Sequence, residues 1–327
     1  FHERRIPRLG FTTGQVSVRR RYRTWRTNRR EYKEKSGRAL REDIQIVILK
    51  EKQPFGRILI VILIRGAGDI ASGIALRLYR AGLIPVMTDL QAPTSIRRGV
   101  CFSEALRLGE TRVEGISAQR CGNQEQVLNC LHTGSIPVLA DDAGLVLEQI
   151  HPRAVVDARL AKVNLGTRRS DAFIVVGIGP GFTAGEDCHA VVETKRGHRL
   201  GRVLYTDSAQ PNTGIPGNIG GYTSERLLRA PAAGIFTPVK NIGDIVTAGE
   251  TVAFVEGMPL RTQIAGVLRG ILPEGTVVFA GMKSGDVDPR GEYDSCFTVS
   301  DKALAVGGGV LEALLHLGLL QRGILVP

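Results

Sequence analysis

The chain has 327 residues, 43% of them apolar and 23% charged. Those fractions exclude a fibrous or wholly disordered protein, and no apolar run reaches the roughly 18 residues of a membrane-spanning helix. The net charge of +11 is local: residues 1–57 carry 17 Lys/Arg against 6 Asp/Glu, and residues 58–327 carry 26 of each. A basic nucleic-acid-binding surface over the whole molecule is therefore not expected.

Residues 1–57 form a basic tail dominated by Arg19-Arg20-Arg21-Tyr22-Arg23-Thr24-Trp25-Arg26. Such a run can track phosphates, with Tyr22 and Trp25 free to stack. A transit peptide also fits the arginines, but Glu31, Glu34 and Glu42 count against it. The remaining reading is a disordered or non-native extension. The five cysteines (Cys101, Cys121, Cys130, Cys188 and Cys296) include no C-x-x-C pair. Neither a disulfide framework nor a zinc site is expected, and a reducing cytoplasm fits.

The run 58–64 is continuous and β-branched, as suits a strand buried on both faces of a parallel sheet. Gly66-Ala67-Gly68-Asp69-Ile70-Ala71 follows, matching G-x-G-x-x-[G/A]. Helical spacing over 70–83 leads to a second strand over 84–89, ending in Asp89, 23 residues after Gly66. In a dinucleotide fold Gly66 permits the tight turn and Gly68 lets backbone approach a pyrophosphate. Ala71 allows close helix–strand packing, and Asp89 bonds a ribose hydroxyl. Asp69 sits where a pyrophosphate would lie and repels it unless a cation intervenes. The alternative is that the turn only caps the helix. Arg97 and Arg98 follow as phosphate partners or as a solvated helix start.

Further on, 123–132 reads as a helix, and 136–140, 154–157 and 173–177 as strands. This alternation predicts a doubly wound α/β core over 58–210, with ligands at the carboxyl ends of its strands. Asp157, Arg159 and Lys162 follow one strand end. Gly179, Gly181 and Phe182 follow another. Asp187 and His189 would share one face as a strand, and His189 and Glu193 one face as a helix; zinc sites need three or four ligands, and no metal site is expected. Neither a G-x-S-x-G elbow nor a Ser-His-Asp order appears, so no catalytic residue is named.

Residues 211–230 read as a linker with a short helix over 224–229. Beyond it the chain repeats: Gly234, Gly243, Val246 and Gly249 recur 32 residues later as Gly266, Gly275, Val278 and Gly281. Two short β units would close on each other over 231–292. The pattern resembles the biotinyl/lipoyl-like barrel-sandwich. Pro259 stands in the hairpin Glu256-Gly257-Met258-Pro259-Leu260, where carriers hold their acylated lysine, so a structural or binding role is expected. Residues 293–327 include an apolar helix over 303–317, opened by Gly307-Gly308-Gly309, that packs back on the core. The fold class is thus α/β: a Rossmann-like doubly wound parallel sheet followed by a small β barrel-sandwich domain.

Several motifs carry a resemblance from Leu59 to the C-terminus. They are Gly66-Ala67-Gly68-Asp69-Ile70-Ala71-Ser72-Gly73, Pro93-Thr94-Ser95-Ile96-Arg97-Arg98 and Asp157-Ala158-Arg159-Leu160-Ala161-Lys162. Gly179-Pro180-Gly181-Phe182-Thr183-Ala184-Gly185, Pro211-Asn212-Thr213-Gly214 and Gly285-Asp286-Val287-Asp288-Pro289-Arg290 belong with them. Together they resemble the YqeB-type accessory proteins of selenium-dependent molybdenum hydroxylases, whose role is related to that of the XdhC-type maturation proteins. The resemblance implies handling of the molybdenum cofactor or delivery of selenium or sulfur to a hydroxylase client. Arg97, Arg98, Arg159 and Lys162 would then meet a phosphate, and Phe182 and the glycine loops would line the pterin. Cys101 stands where a small apolar residue is expected and is not assigned as a carrier thiol.

Two other functions stay open. An NAD(P)-dependent oxidoreductase is compatible with Asp89, which favours NAD, although no Tyr-x-x-x-Lys pair accompanies it. A non-enzymatic scaffold with a ligand-free Rossmann domain is compatible with Asp69. Near-neutral core charge also suits homo-oligomer formation.

Overall fold

Residues 60–320 are described by a computed structural model. The basic tail lies outside the described residues. Runs rich in Val, Ile and Leu form the first half: β1 (Val61–Arg65), α1 (Asp69–Arg80), β2 (Ile84–Asp89), α2 (Glu104–Leu108), β3 (Glu110–Val113) and β4 (Ile116–Arg120). Next come α3 (Gln124–His132), β5 (Ile136–Ala140), α4 (Val146–Ile150), β6 (Ala154–Asp157), β7 (Ile174–Ile178), β8 (Ala190–Val192) and β9 (Val203–Leu204). Asn123 starts α3 by accepting a bond from Gln126 N at 2.9 Å, as an Asn N-cap does.

These strands make one nine-stranded sheet in the order β3-β4-β5-β2-β1-β6-β7-β8-β9. Pairings are parallel from β4 through β8 and antiparallel at the two edges. The chain moves from β1 towards β5 on one side, then returns to place β6 on the other side of β1. Alternate residues of β1 serve different cores: Ile62 and Ile64 pack with α1, and Leu63 packs with residues of α3 and α4. Burial of both faces is why these strands are apolar without interruption.

A second set of strands follows: β10 (Leu227–Arg229), β11 (Gly234–Pro238), β12 (Ile245–Val246) and β13 (Thr251–Val255). It continues with β14 (Met258–Arg261), β15 (Gly266–Ile271), β16 (Val277–Val278) and β17 (Lys283–Asp288). They form two antiparallel four-stranded sheets, β10-β17-β15-β12 and β14-β13-β11-β16. The 32-residue repeat interlocks across them. Gly234 pairs with Val278, and Gly266 pairs with Val246, so each half completes its sheet with a strand of the other. Gly243 and Gly275 both take positive φ, at +99° and +79°, which explains glycine at this shared turn. The hairpin between β13 and β14 turns at Glu256 and Gly257, both at positive φ, as a two-residue hairpin turn requires. Pro259 there faces Phe254.

The last described element is α5 (Asp301–His316), capped by Ser300, which accepts from Ala303 N. Among the described residues no helix is long and apolar enough to cross a membrane. Two local expectations are corrected. Residues 224–229 are one 3-10 turn followed by β10, because Leu227 and Leu228 pair with β17 instead of closing helical bonds. The Gly307-Gly308-Gly309 run lies inside α5 instead of opening it. A Cβ on Gly309 would come 2.2 Å from Gly201 O, and one on Gly307 would come 3.0 Å from Gly73 O. Gly307 and Gly309 are therefore where α5 docks, while Gly308 faces open space.

Helices α1 and α5 touch through Gly73, where a Cβ would meet Ala303 Cβ at 2.6 Å. Gly73→Leu is expected to cost about 3 kcal/mol through overpacking. Urea unfolding measures it, and a midpoint equal to wild type would show that the two helices separate freely.

Candidate functional site

The strand order reverses between β1 and β6, and in open α/β sheets the crevice at such a point, outside the carboxyl ends, is where ligands sit. Its walls are the turn after β1 and the loop after β6. Gly66 N donates to Thr88 O at 2.7 Å, and Ala158 N donates to Arg65 O at 2.8 Å. Gly66 has φ +106°, and a Cβ on it would lie 2.9 Å from Ala158 O. The first glycine of the motif is thus required by protein packing as well as by the turn. Gly181 (φ +108°) likewise approaches Val163, and Gly179 approaches Thr194. Gly68 is different: it is extended, and a Cβ there would meet only Ser95 Oγ at 3.3 Å. Ala71 is buried inside α1, where a small residue permits the packing expected of it.

The charged residues at this edge divide by whether the protein already uses them. Arg97 is buried, and its guanidinium donates to Asp69 Oδ2 at 2.8 Å, Ser295 O at 2.9 Å and Thr298 O at 3.2 Å. Arg98 Nε donates to Ile271 O at 2.8 Å, and Nη1 lies 3.6 Å from Glu104. Ile271 N donates in turn to Ile96 O at 2.9 Å. The 96–98 segment therefore clamps the glycine turn to the antiparallel sheets. Arg159 pairs with buried Asp157, which also accepts from Thr167 Oγ1 at 2.6 Å. Phe182 is buried against Gly177 in the core beneath the sheet's second face. Asp89 accepts from Ala67 N and Leu90 N, both at 2.8 Å. Burial raises its carboxyl despite those two bonds.

Three lysines are not used in this way. Lys162, Lys283 and Lys302 have no hydrogen-bond or ion-pair partner among the described residues. Partial desolvation by neighbouring atoms lowers the ammonium of each, although Lys162 and Lys283 are exposed and Lys302 is half-buried, and Lys162 lowers Lys302 further by like-charge repulsion. Lys302 stands in the first turn of α5, between Asp301 and Ala303. A cation there opposes the helix dipole, and that misplacement is the signal by which a sequence reading finds it. Lys283 opens β17, and no local pattern marks it. Beside them, Arg196 forms two bonds to Asp301, at 2.6 and 2.9 Å, and holds that carboxyl down at about 2.

Asp187, His189 and Glu193 are each engaged by neighbouring groups. Asp187 accepts from Asn164 and Thr183 N, and His189 Nδ1 accepts from Val175 N. Glu193 accepts from the N–H groups of Thr194, Lys195 and Gln210. No group of three such ligands gathers among the described residues. All five cysteines are buried and unpaired. Burial, then Asp69, pushes the Cys101 thiol well up, the opposite of a reactive thiolate.

Burial alone would raise Asp157, but bonds from Arg159 and Thr167 hold it below the usual carboxylate range. A depressed carboxyl stabilises the fold above the unfolded value of roughly 3.9 and loses that contribution as pH falls towards the folded value. Stability is therefore expected to drop on acidification below about pH 4, with a shallower slope in Asp157→Asn. Urea midpoints at several pH values check this, and equal slopes in the two proteins would refute it.

The chain is 49% identical over 271 residues to "Uncharacterized protein YqeB" of Escherichia coli (strain K12), a match covering 83% of this chain and 50% of that protein. The chain is similar to YqeB over most of its own length. It spans about half the length of this curated relative. No family model matches. Among solved structures, an aspartoacylase family protein from Mesorhizobium loti aligns at 13% identity and a TM-score of 0.24, over 69% of this chain and 84% of that one. A succinylglutamate desuccinylase/aspartoacylase from Rhodobacter sphaeroides aligns at 15% identity over the same shares, also at 0.24. Scores this low carry no argument about fold or activity.

Proposed function

We propose that the chain is an accessory protein for a molybdenum hydroxylase, binding a phosphate-bearing pterin cofactor at the carboxyl edge of the large sheet. The observation that carries this reading is the group of unpartnered lysines around the crevice between β1 and β6. Cations left without a protein carboxylate at this edge fit a ligand that brings its own negative charge. Lys162 and Lys302 would hold the phosphate, and Gly68 leaves the backbone open to approach. Arg97, Arg98 and Arg159 serve instead to position the loops. The cofactor, when bound, supplies the metal centre used by the client enzyme. The chain's own residues bind it, neutralise its phosphate and keep its loops in place.

On this reading the β1–turn–α1–β2 unit is Rossmann-like, and the interlocked antiparallel sheets are a barrel-sandwich without a carrier lysine. Ile235, Phe254 and Val277 are exposed on the β13-β11-β16 face, which is the surface proposed to meet the client. A cytoplasmic setting suits the five unpaired cysteines.

A second reading, an NAD(P)-dependent protein, is favoured by Asp89 at the end of β2. Anaerobic native mass spectrometry with metal analysis separates the two, using protein from cells supplied with molybdate and selenite. A co-purifying pterin with molybdenum is expected. An NAD mass without molybdenum would establish the second reading, and a bare polypeptide would overturn both in favour of a scaffold.

A further inference from the structure

We infer that Cys121 and Cys130 form a redox-sensitive dithiol, which a peroxide converts to a disulfide that staples α3 to the end of β4. The pair lacks C-x-x-C spacing and is brought together by the fold of one crossover, β4–α3–β5.

Cys121 directly follows β4, and its N–H donates to Val138 O on β5 at 2.9 Å. Its Sγ turns back along β4 and lies 3.6 Å from Gln119 O. Cys130 stands on α3. Gln126, one turn earlier, shares its face, since residues four apart line one side of a helix. Gln126 Oε1 accepts from Gly122 N at 2.7 Å, so this face of α3 lies on the residues that leave β4. Cys121 and Cys130 are 3% and 1% exposed, and both belong to one buried cluster with Val127, Leu139 and Val86. Within it the Cys130 thiol meets the backbone of Gln119 and hydrogen-bonds with the Cys121 thiol. The groups that act most on Cys101, Cys188 and Cys296 include no second thiol.

Within the pair the roles differ. The bond from Cys130 holds the Cys121 thiol down, whereas Cys121, then burial, pushes the Cys130 thiol up. Cys121 therefore supplies the attacking thiolate. Its sulfur bonds one oxygen of hydrogen peroxide as the O–O bond breaks, leaving a sulfenic acid and hydroxide. The Cys130 sulfur then attacks that sulfur, the S–O bond breaks and the S–S bond forms. The proton given up by each thiol joins a departing hydroxide. Two thiols and one peroxide thus become a disulfide and two waters, the sulfurs oxidised and the peroxide reduced. Access comes through α3, whose buried side chains are those of Val127 and Cys130. So little apolar area holds the helix that its local opening costs far less than global unfolding. The disulfide closes that opening. It also steadies the path into β5, which is followed by Asp141, whose N–H donates to Asp89 O at 2.8 Å.

The test is peptide mapping of the full chain under non-reducing conditions, after reduction, desalting and exposure to hydrogen peroxide. A Cys121–Cys130 link that dithiothreitol reverses is expected, with Cys101, Cys188 and Cys296 recovered as free thiols on unfolding. Amide exchange over 124–132 should slow at least about tenfold in the oxidised chain, with exchange in β1 unchanged. Cys130→Ala should leave Cys121 as a sulfenic acid that dimedone captures, and Cys121→Ala should leave Cys130 unreacted. No link, a link to a different cysteine, or sulfinic acid at Cys121 beside a free Cys130 would overturn the dithiol. That map is made on the unsubstituted chain and decides the matter even where a variant does not fold. A link that leaves exchange over 124–132 unchanged would overturn the staple.

Discussion

Arg97→Ala is expected to destabilise the protein by about 3–5 kcal/mol, the range for removing one member of a buried ion pair. Arg97 is only 6% exposed, and its three bonds join parts of the chain far apart in sequence: Asp69 at the start of α1 and the carbonyls of Ser295 and Thr298. Its loss leaves two carbonyls without their donors and Asp69 without its counter-charge. Gly99, two residues on, packs against Cys296 O and Phe297, so the 293–300 segment should loosen with it. Asp69→Asn should cost less, because Asp69 is 29% exposed and can be rehydrated. Urea unfolding together with limited proteolysis near residue 297 measures both effects. A loss under about 1 kcal/mol for Arg97→Ala would mean that the carbonyls find water and that the clamp is not structural.

Asp286→Ala is expected to have an effect of the same order, about 3–5 kcal/mol. Asp286 lies on β17, buried, and accepts from Arg226 at 3.2 Å and from Arg269 at 2.6 and 3.0 Å. Asp288 accepts from Arg269 at 3.2 Å and from Arg290 at 2.7 Å. Removal of Asp286 leaves Arg226, itself 5% exposed, with no carboxylate partner. Burial already lowers that guanidinium's affinity for its proton, and Asp286 is the first group opposing the shift. Replacing both members by apolar residues, Arg226→Met with Asp286→Leu, should recover a large part of the loss, since the cost lies in the orphaned charge. A double variant no better than Asp286→Ala would show that the Arg269–Asp288 arm depends on Asp286 as well.

Much of the sheet was legible in the sequence. Strands β2, β5 and β6 fall on the expected residues, because strands covered on both faces announce themselves as unbroken apolar runs. Helix α3 was legible through its period and its Asn123 cap. The 32-residue repeat was legible because its glycines meet the same local need, positive φ at equivalent turns. What the repeat does was not: the exchange of strands between the halves is set by pairings such as Gly234 with Val278, over 40 residues apart.

The candidate site divides in the same way. The glycine motif, Asp69, Asp89, Lys162 and the loop after β6 were named from spacing and from motifs of the resemblance, since they sit at strand ends where local pattern is strong. Which charges find partners within the protein was a tertiary matter. Arg97, Arg98 and Arg159 look like Lys162 in the sequence, yet their partners are Ser295, Ile271 and Asp157, two of them on distant segments. Lys302 is carried to the crevice only because α5 docks in parallel on α1. The sequence by itself determined the strands, the turns and the local polarity, because these depend on neighbours a few residues away. The tertiary structure alone decided which cations are neutralised and which remain, because a charge's state is settled by whatever the fold places within a few ångströms of it.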